Sequence, residues 1–476
     1  MVFSSIEFIW LFMPVVLALY LLLGPRWRNA LLALASLGFY AYGARSLLAL
    51  FVASILCNYL AGRLIAGKRD AGDERGVRLV LWAAIAVNLG LLFAWKYTEF
   101  AVTQLNKAIG LAGGGELGVP SIALPIGISF FTFHGISYVV DVSRGTARPM
   151  RRIVDYAQYM AFFAQLIAGP IVRYHQIDEQ IRRPPARSER LDDIAEGFPR
   201  FAWGLCKKVL IADQAGLIAD AAFAPGAPAG ATAWVGALAY TVQIYFDFSG
   251  YSDMAIGLAR MFGFVFPENF ARPYSAVSMT DFWRRWHMTL SGWFRDYVYI
   301  PLGGSRGAME ITVRNLMVVF FLTGAWHGAA WTFVLWGLYN GALLVGEKLT
   351  GIAALPDERL AIVRRLATLL LVIFGWVVFR SNGLGQATDF YRAMASPDLG
   401  AVSPAVDAAA TPRAMFALAL GVASFLLPRE LVTGRLLQAR WSGAPLVARI
   451  AVIAVLPVAA VAVAAGSFSP FLYFRF

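Results

Sequence analysis

Residues 79–95 read LVLWAAIAVNLGLLFAW, a run without one charged side chain, and similar runs recur along the whole chain. A helix needs about 20 mostly apolar residues to cross a bilayer core. Stretches approaching that length occupy 6–23, 46–61, 231–246, 311–326, 329–345, 362–379, 413–427 and 446–465. The expectation is an all-α polytopic integral membrane protein with roughly 11–13 membrane segments, some tilted or re-entrant. Composition agrees, because only 15% of the 476 residues are charged and 59% are hydrophobic, whereas soluble domains carry about 25% charged residues. The opening VFSSIEFIWLFMPVVLALYLLL has no basic region before its apolar run and no small-residue cleavage pattern. It reads as a retained first span. No soluble domain remains to be placed, so 1–476 reads as one membrane domain: N-terminal spans in 1–115, a motif-bearing core in 120–345 and C-terminal spans in 360–476.

The formal net charge is +12, but the basic residues lie in short loops between apolar runs. Cytoplasmic retention of Lys and Arg accounts for them, and nucleic acid is not needed as a partner. Arg26 and Arg28 follow the first run while none precedes it, which predicts an outside N-terminus. The basic stretches 144–152 and 173–200 both read as cytoplasmic, yet they flank an apolar run at 154–172. That run is either re-entrant or one loop is misplaced. Cys57 and Cys206 stand apart with no CxxC spacing and read as packing residues.

Three polar intrusions break the apolar pattern. In DFWRRWHMTLSGWFRDYVYIPLGG, residues 281–304, Ser278 and Thr280 ahead of Asp281 predict a helix start. On that helix Trp283, Trp286, Leu290, Trp293 and Phe294 share one face, and Arg284, His287, Ser291 and Arg295 another. The polar stripe either borders a protein cavity or lies flat at the interface, with its arginines on the phosphates of membrane lipid. In FLTGAWHGAAWTFVLWGLYNG, residues 321–341, His327 has no charge nearby in sequence. An ionisable residue at membrane depth is a functional candidate. Gly324 and Gly328 form a GxxxG beside it, which serves either close helix packing or room for a narrow ligand. Asp247 and Asp253 occupy the third stretch, 240–264, a mostly apolar run broken by Ser249-Gly250. Carboxylates there must be paired, protonated or wet, and pairing with arginines of the 284–306 region is expected. His134 and Asp141 add polar groups further upstream, whereas His175 reads as surface. The four histidines offer no HxxxH or HExxH spacing, so no metal is expected.

The runs LPIGISFFTFHGISYVVDVSRG, AGPIVR, QIYFDFSGYSDMAIGLA, FGFVFPENFARPY, DFWRRWHMTLSGWFRDYVYIPLGG, GAWHGAAWTFVLWG and FLYFRF closely resemble the membrane-bound O-acyltransferase (MBOAT) family, in its bacterial polysaccharide O-acetyltransferase branch. The likeness covers most of the chain. It departs around Gln165 in FFAQLIAGP, where many relatives have FFPxLxAGP, and at Asn340 in WGLYNG, where relatives often have His. The resemblance implies a ring of helices around a thinned central funnel or tunnel, with His327 as the catalytic histidine and His287 as the second functional one. It also implies transfer of an acetyl group from cytoplasmic acetyl-CoA across the bacterial inner membrane. The receiver would be an extracytoplasmic SGNH-like partner that O-acetylates an exopolysaccharide such as alginate. No bound cofactor is required.

In that scheme His327 serves as general base on an acceptor hydroxyl, with a covalent acetyl-histidine as the variant. Arg284, Arg285 and Arg295 hold donor phosphates, pinned by Asp281 and Asp296, and His287 orients the thioester carbonyl. Trp326, Gly324, Gly328, Ser291, Asp247 and Asp253 are candidates for lining the path. The alternative is a proton-coupled transporter or flippase of an anionic substrate, which would use the same histidine and aspartates as a proton relay. A scaffold without chemistry of its own is a third reading.

Overall fold

The apolar runs fold as helices, and no strand occurs among the described residues, which in this computed structural model are 2–183, 190–356, 360–397, 399–427, 443–465 and 471–472. Residues 184–189 of the charged loop and 473–476 of the closing FLYFRF lie outside that set. Among the described residues, four helical stretches are long and apolar enough to cross a membrane: Pro25–Asp70, Glu74–Lys96, Met309–His327 and Ala361–Arg380. Phe8–Leu22, Pro412–Phe425 and Arg449–Ala464 are shorter apolar helices. The other expected spans fall short through brevity or polar content.

The chain divides into two compact units. The first comprises Glu7–Ile194 and Ala259–Phe266. After a π-helical turn at Phe8–Phe12 it contains α1 Met13–Leu22, α2 Pro25–Ala44, α3 Leu48–Asp70, α4 Glu74–Lys96, α5 Thr98–Leu111, α6 Ile128–Arg144, α7 Ile153–Ala161, α8 Phe163–Leu166 and α9 Tyr174–Arg182. Asp73 caps α4 by accepting from the Gly76 amide at 2.8 Å. Asn58 of α3 and Asn88 of α4 exchange hydrogen bonds of 3.2 and 2.8 Å, so two buried amides satisfy each other. Gly135 of α6 packs on that pair, where a Cβ would lie 2.8 Å from Asn88 Oδ1. Gly127 starts α6 at φ 72, and a Cβ there would meet the Leu166 carbonyl oxygen.

The run at 154–172 does not form one helix. It breaks at Phe162 (φ −47, ψ 113), makes the single turn α8 and continues without helix to Arg173, with residues 158–172 buried throughout. Such backbone is tolerated at membrane depth only inside protein. Gln165 stabilises the break, its Nε2 donating to the Tyr159 carbonyl at 2.5 Å. His175 is exposed, as expected, and its Nδ1 lies 2.9 Å from Asp141 Oδ2. His134 is fully buried on α6, its ring 5.5 Å from that of Tyr159. Of the two cysteines, Cys206 is buried but Cys57 is exposed, and neither forms a disulfide.

The second unit comprises Val2–Ile6, Ala195–Leu258 and Pro267–Phe476. α10 Arg190–Cys206 leads into it and runs through a π-helical segment, Lys207–Ala212, into α11 Asp213–Ala222. Then come α12 Gly230–Met261, α13 Met279–Trp283, α14 Met288–Phe294, α15 Met309–His327, α16 Trp331–Thr350, α17 Ala361–Arg380, α18 Leu384–Ala395, α19 Pro404–Ala409, α20 Pro412–Phe425 and α21 Gly443–Ala464. Ser249 and Gly250 lie inside α12, which runs through them without a break. Gly250 lets α10 come close, since a Cβ on it would lie 2.8 Å from the Gly204 carbonyl oxygen, and a Cβ on Gly257 would lie 2.6 Å from that of Gly197.

Candidate functional site

The close crossing of α10 and α12 explains the buried aspartates. Arg200 lies between Gly197 and Gly204 in sequence, as Asp253 lies between Gly250 and Gly257, and the two meet there. Arg200 donates to Asp253 Oδ1 at 2.9 and 3.1 Å and to both oxygens of Glu268 at 2.6 Å. Lys207 Nζ completes the network at 2.9 Å from Asp253 Oδ2. Lys208 pairs with Asp247 at 3.0 Å and also with Asp213. Asp247 Oδ2 further accepts the Leu472 backbone N–H at 2.8 Å. The expected partners in the 284–306 region are therefore replaced by cations of the α10 segment. The sequence signal was Lys207-Lys208 within the otherwise apolar run 201–212, because such charges at membrane depth require carboxylate partners. A cavity of about 300 Å³ borders Arg200, Lys207, Asp253, Glu268 and Asn269.

The stretch beginning at Asp281 is not one amphipathic helix. α13 ends at Trp283, and His287 adopts the left-handed region (φ 41, ψ 53) before α14 starts. That conformation is uncommon outside glycine, so tertiary contacts must hold it. Two backbone bonds do so: Met288 N–H to the Asn269 carbonyl at 3.0 Å and Ala271 N–H to the Arg285 carbonyl at 2.9 Å. The Asn269 side chain adds more. Its Oδ1 accepts from Thr289 N–H at 3.3 Å and from Thr289 Oγ1 at 2.9 Å, and it lies 3.0 Å from His287 Nδ1. The break turns Trp283 and Trp286 into an aromatic core in which Trp286 and Trp376 are 4.8 Å apart and Trp283 and Trp336 5.7 Å. Asn340 belongs to this core, its Oδ1 accepting from Trp283 Nε1 at 3.2 Å.

His327 closes the C-terminal end of α15, where Gly328 is extended and the chain turns into α16. It is 4% exposed, and its ring lies 4.9 Å from Trp326, 5.1 Å from Trp336 and 5.2 Å from Phe379. Trp326 is also 6.1 Å from the ring of His287, so one indole links the two imidazoles. Phe248 of α12 meets His287 edge-on at 4.6 Å. Gly324 serves contact between α15 and α16, one of the two roles open from sequence: a Cβ on it would lie 2.3 Å from the Phe333 carbonyl oxygen and 3.2 Å from Gly337 Cα. A Cβ on Gly328 would collide with the Phe333 ring.

The three candidate arginines differ in state. Arg285 is bound to Asp281 and Arg295 to Asp296, each at 2.7 Å. Arg284 makes no ion pair among the described residues and borders a cavity of about 660 Å³ with Thr280, Ser305, Thr312, Glu347 and Lys348. Glu347 shapes that cavity by accepting from the Met279 and Thr280 amides at 2.5 and 2.8 Å. Ser291 Oγ donates to the Trp283 carbonyl at 3.4 Å, across the break. No group of three or more His, Cys, Asp or Glu suited to a metal occurs among the described residues.

Two buried imidazoles in an aromatic cage, with an arginine-bearing cavity at the far end of the α15–α16 pair, suit acyl transfer at membrane depth. Residues 124–379 match the model of MBOAT, the membrane-bound O-acyltransferase family. The chain belongs to that family, and it is an integral membrane O-acyltransferase. It is 42% identical, over all of both chains, to the probable alginate O-acetylase of Azotobacter vinelandii. It is 36% identical to the peptidoglycan O-acetyltransferase of Helicobacter pylori, over 83% of this chain and 80% of that one. The teichoic acid D-alanyltransferase of Bacillus subtilis is 29% identical over 46% of this chain and 58% of its own.

Proposed function

We propose that this protein is a multi-pass enzyme of the bacterial inner membrane that takes an acetyl group from cytoplasmic acetyl-CoA. It passes the group to an extracytoplasmic SGNH-like acetyltransferase, which O-acetylates an exopolysaccharide such as alginate. The observation that carries this reading is the pairing of His327 and His287 on one indole inside an aromatic cage. Full-length similarity to a probable alginate O-acetylase supports the acetyl group and the polymer class.

His327 acts as general base. It takes the proton of an acceptor hydroxyl as that oxygen attacks the thioester carbonyl, and returns a proton to the departing CoA thiolate when the tetrahedral intermediate collapses. The surrounding Trp326, Trp336 and Phe379 keep water out, which protects the thioester from hydrolysis. Arg284 supplies the guanidinium for donor phosphates, with Lys348 in the same cavity. Arg285 and Arg295, each held by its own aspartate, shape the segment instead.

The test is release of free thiol from acetyl-CoA by the purified protein in nanodiscs, with its partner, for wild type, His327→Ala and His287→Ala. Partner-dependent turnover abolished by His327→Ala is the expected result. Absence of thioester consumption with a competent partner, together with passage of an intact anionic substrate across reconstituted membranes, would replace the enzyme with a transporter.

A further inference from the structure

His287 is fully buried, and its two ring nitrogens have different surroundings: Nδ1 is 3.0 Å from Asn269 Oδ1, while Nε2 has no hydrogen-bond partner among the described residues. The orientation of the Asn269 amide decides which nitrogen carries the proton. The Thr289 backbone N–H, a group that can only donate, points at Oδ1 at 3.3 Å, so that atom is the carbonyl oxygen. On the other side Nδ2 donates to Ser252 Oγ at 3.0 Å. Facing a carbonyl oxygen, Nδ1 must be the protonated nitrogen, because the neutral imidazole has one donor and one acceptor.

We infer that Asn269 is a positioning residue that locks His287 as the Nδ1–H tautomer, so that its Nε2 lone pair accepts a hydrogen bond from an N–H or O–H of bound substrate. This rests on the acyl-transfer reading for what the substrate is, but not for the tautomer itself. It also changes the role expected from the family likeness. A neutral His287 with an unprotonated Nε2 has no proton to give a thioester carbonyl and does not serve as an oxyanion donor. The same asparagine fixes the backbone turn, through its carbonyl and Met288 N–H. One residue in the loop after α12 therefore sets both where the imidazole stands and which face of its chemistry it offers.

The test uses the full-length protein in nanodiscs, with nitrogen-15 spectroscopy of His287 and acetyl-CoA turnover measured in parallel. Wild type should show protonated Nδ1 and bare Nε2. Asn269→Asp keeps an acceptor for Nδ1–H and should retain that spectrum and turnover within about tenfold. Asn269→Leu removes the acceptor while leaving the backbone carbonyl. It should mix the tautomers and lower turnover roughly 10- to 100-fold with little change in the acetyl-CoA KM. A wild-type spectrum with protonated Nε2, or Asn269→Leu with wild-type spectrum and turnover, overturns the inference. Should Asn269→Leu fail to fold, the wild-type and Asn269→Asp spectra still decide. A protein with the expected spectrum and no turnover under any condition would instead count against the acyl-transfer reading.

Discussion

Replacing Gly324 with alanine is expected to disable the enzyme from one turn away. A Cβ at that position would fall 2.3 Å from the Phe333 carbonyl oxygen, whereas ordinary contact begins at 3.4 Å. The obstacle is backbone on α16, so it cannot rotate aside as a side-chain tip would. α15 and α16 must separate by about 1 Å, and overpacking of this kind costs about 1–3 kcal/mol. His327 lies three residues further along α15 and moves with it. A displacement of about 1 Å at a reacting group costs on the order of 10²-fold in rate. Thiol release from acetyl-CoA should therefore fall by about two orders of magnitude while the protein still melts as a folded species. Gly346→Ala on α16 is the control, because nothing lies within 4 Å of its Cβ position, and it should leave turnover unchanged. Turnover of Gly324→Ala within twofold of wild type would refute the argument that this glycine contact sets the position of the imidazole proposed as the base.

Arg200→Ala should destabilise the protein by about 3–5 kcal/mol in thermal unfolding, because it takes the guanidinium from Glu268 and leaves Asp253 with Lys207 alone in a buried network; an unchanged melting temperature would contradict it. Arg284→Ala should raise the acetyl-CoA KM about tenfold, equivalent to about 1.4 kcal/mol, with kcat unchanged, as expected for uniform binding by an unpaired guanidinium. Phe471→Ala removes a ring that stacks on Tyr251 at 4.5 Å and lies tilted 5.8 Å from Phe248. A loss of about 3 kcal/mol in unfolding free energy is expected, since Phe→Ala in a core costs about 3–5 kcal/mol.

Much of this protein was legible along the chain. Continuous apolarity determined a helical membrane protein, because in hydrocarbon each backbone must bond within its own segment. Local composition also singled out His327, an ionisable group among apolar neighbours, and His287 on the polar stripe of its segment. The cap at Ser278 was readable too, its Oγ accepting from the Asp281 amide at 3.0 Å. What periodicity describes is the face of a helix that continues, and it carries no information on where a distant segment will stop it. The turn at His287 is imposed by Asn269, 18 residues earlier in the chain, so the expected single helix gives way to α13 and α14. Likewise, charge balance required partners for Asp247 and Asp253, but the choice of Arg200, Lys207 and Lys208 followed from the glycine-lined approach of α10 to α12. The sequence by itself determined which groups had to be buried and satisfied; the tertiary structure alone decided with whom, because hydrogen bonds and ion pairs act over about 3 Å in space whatever the separation in sequence.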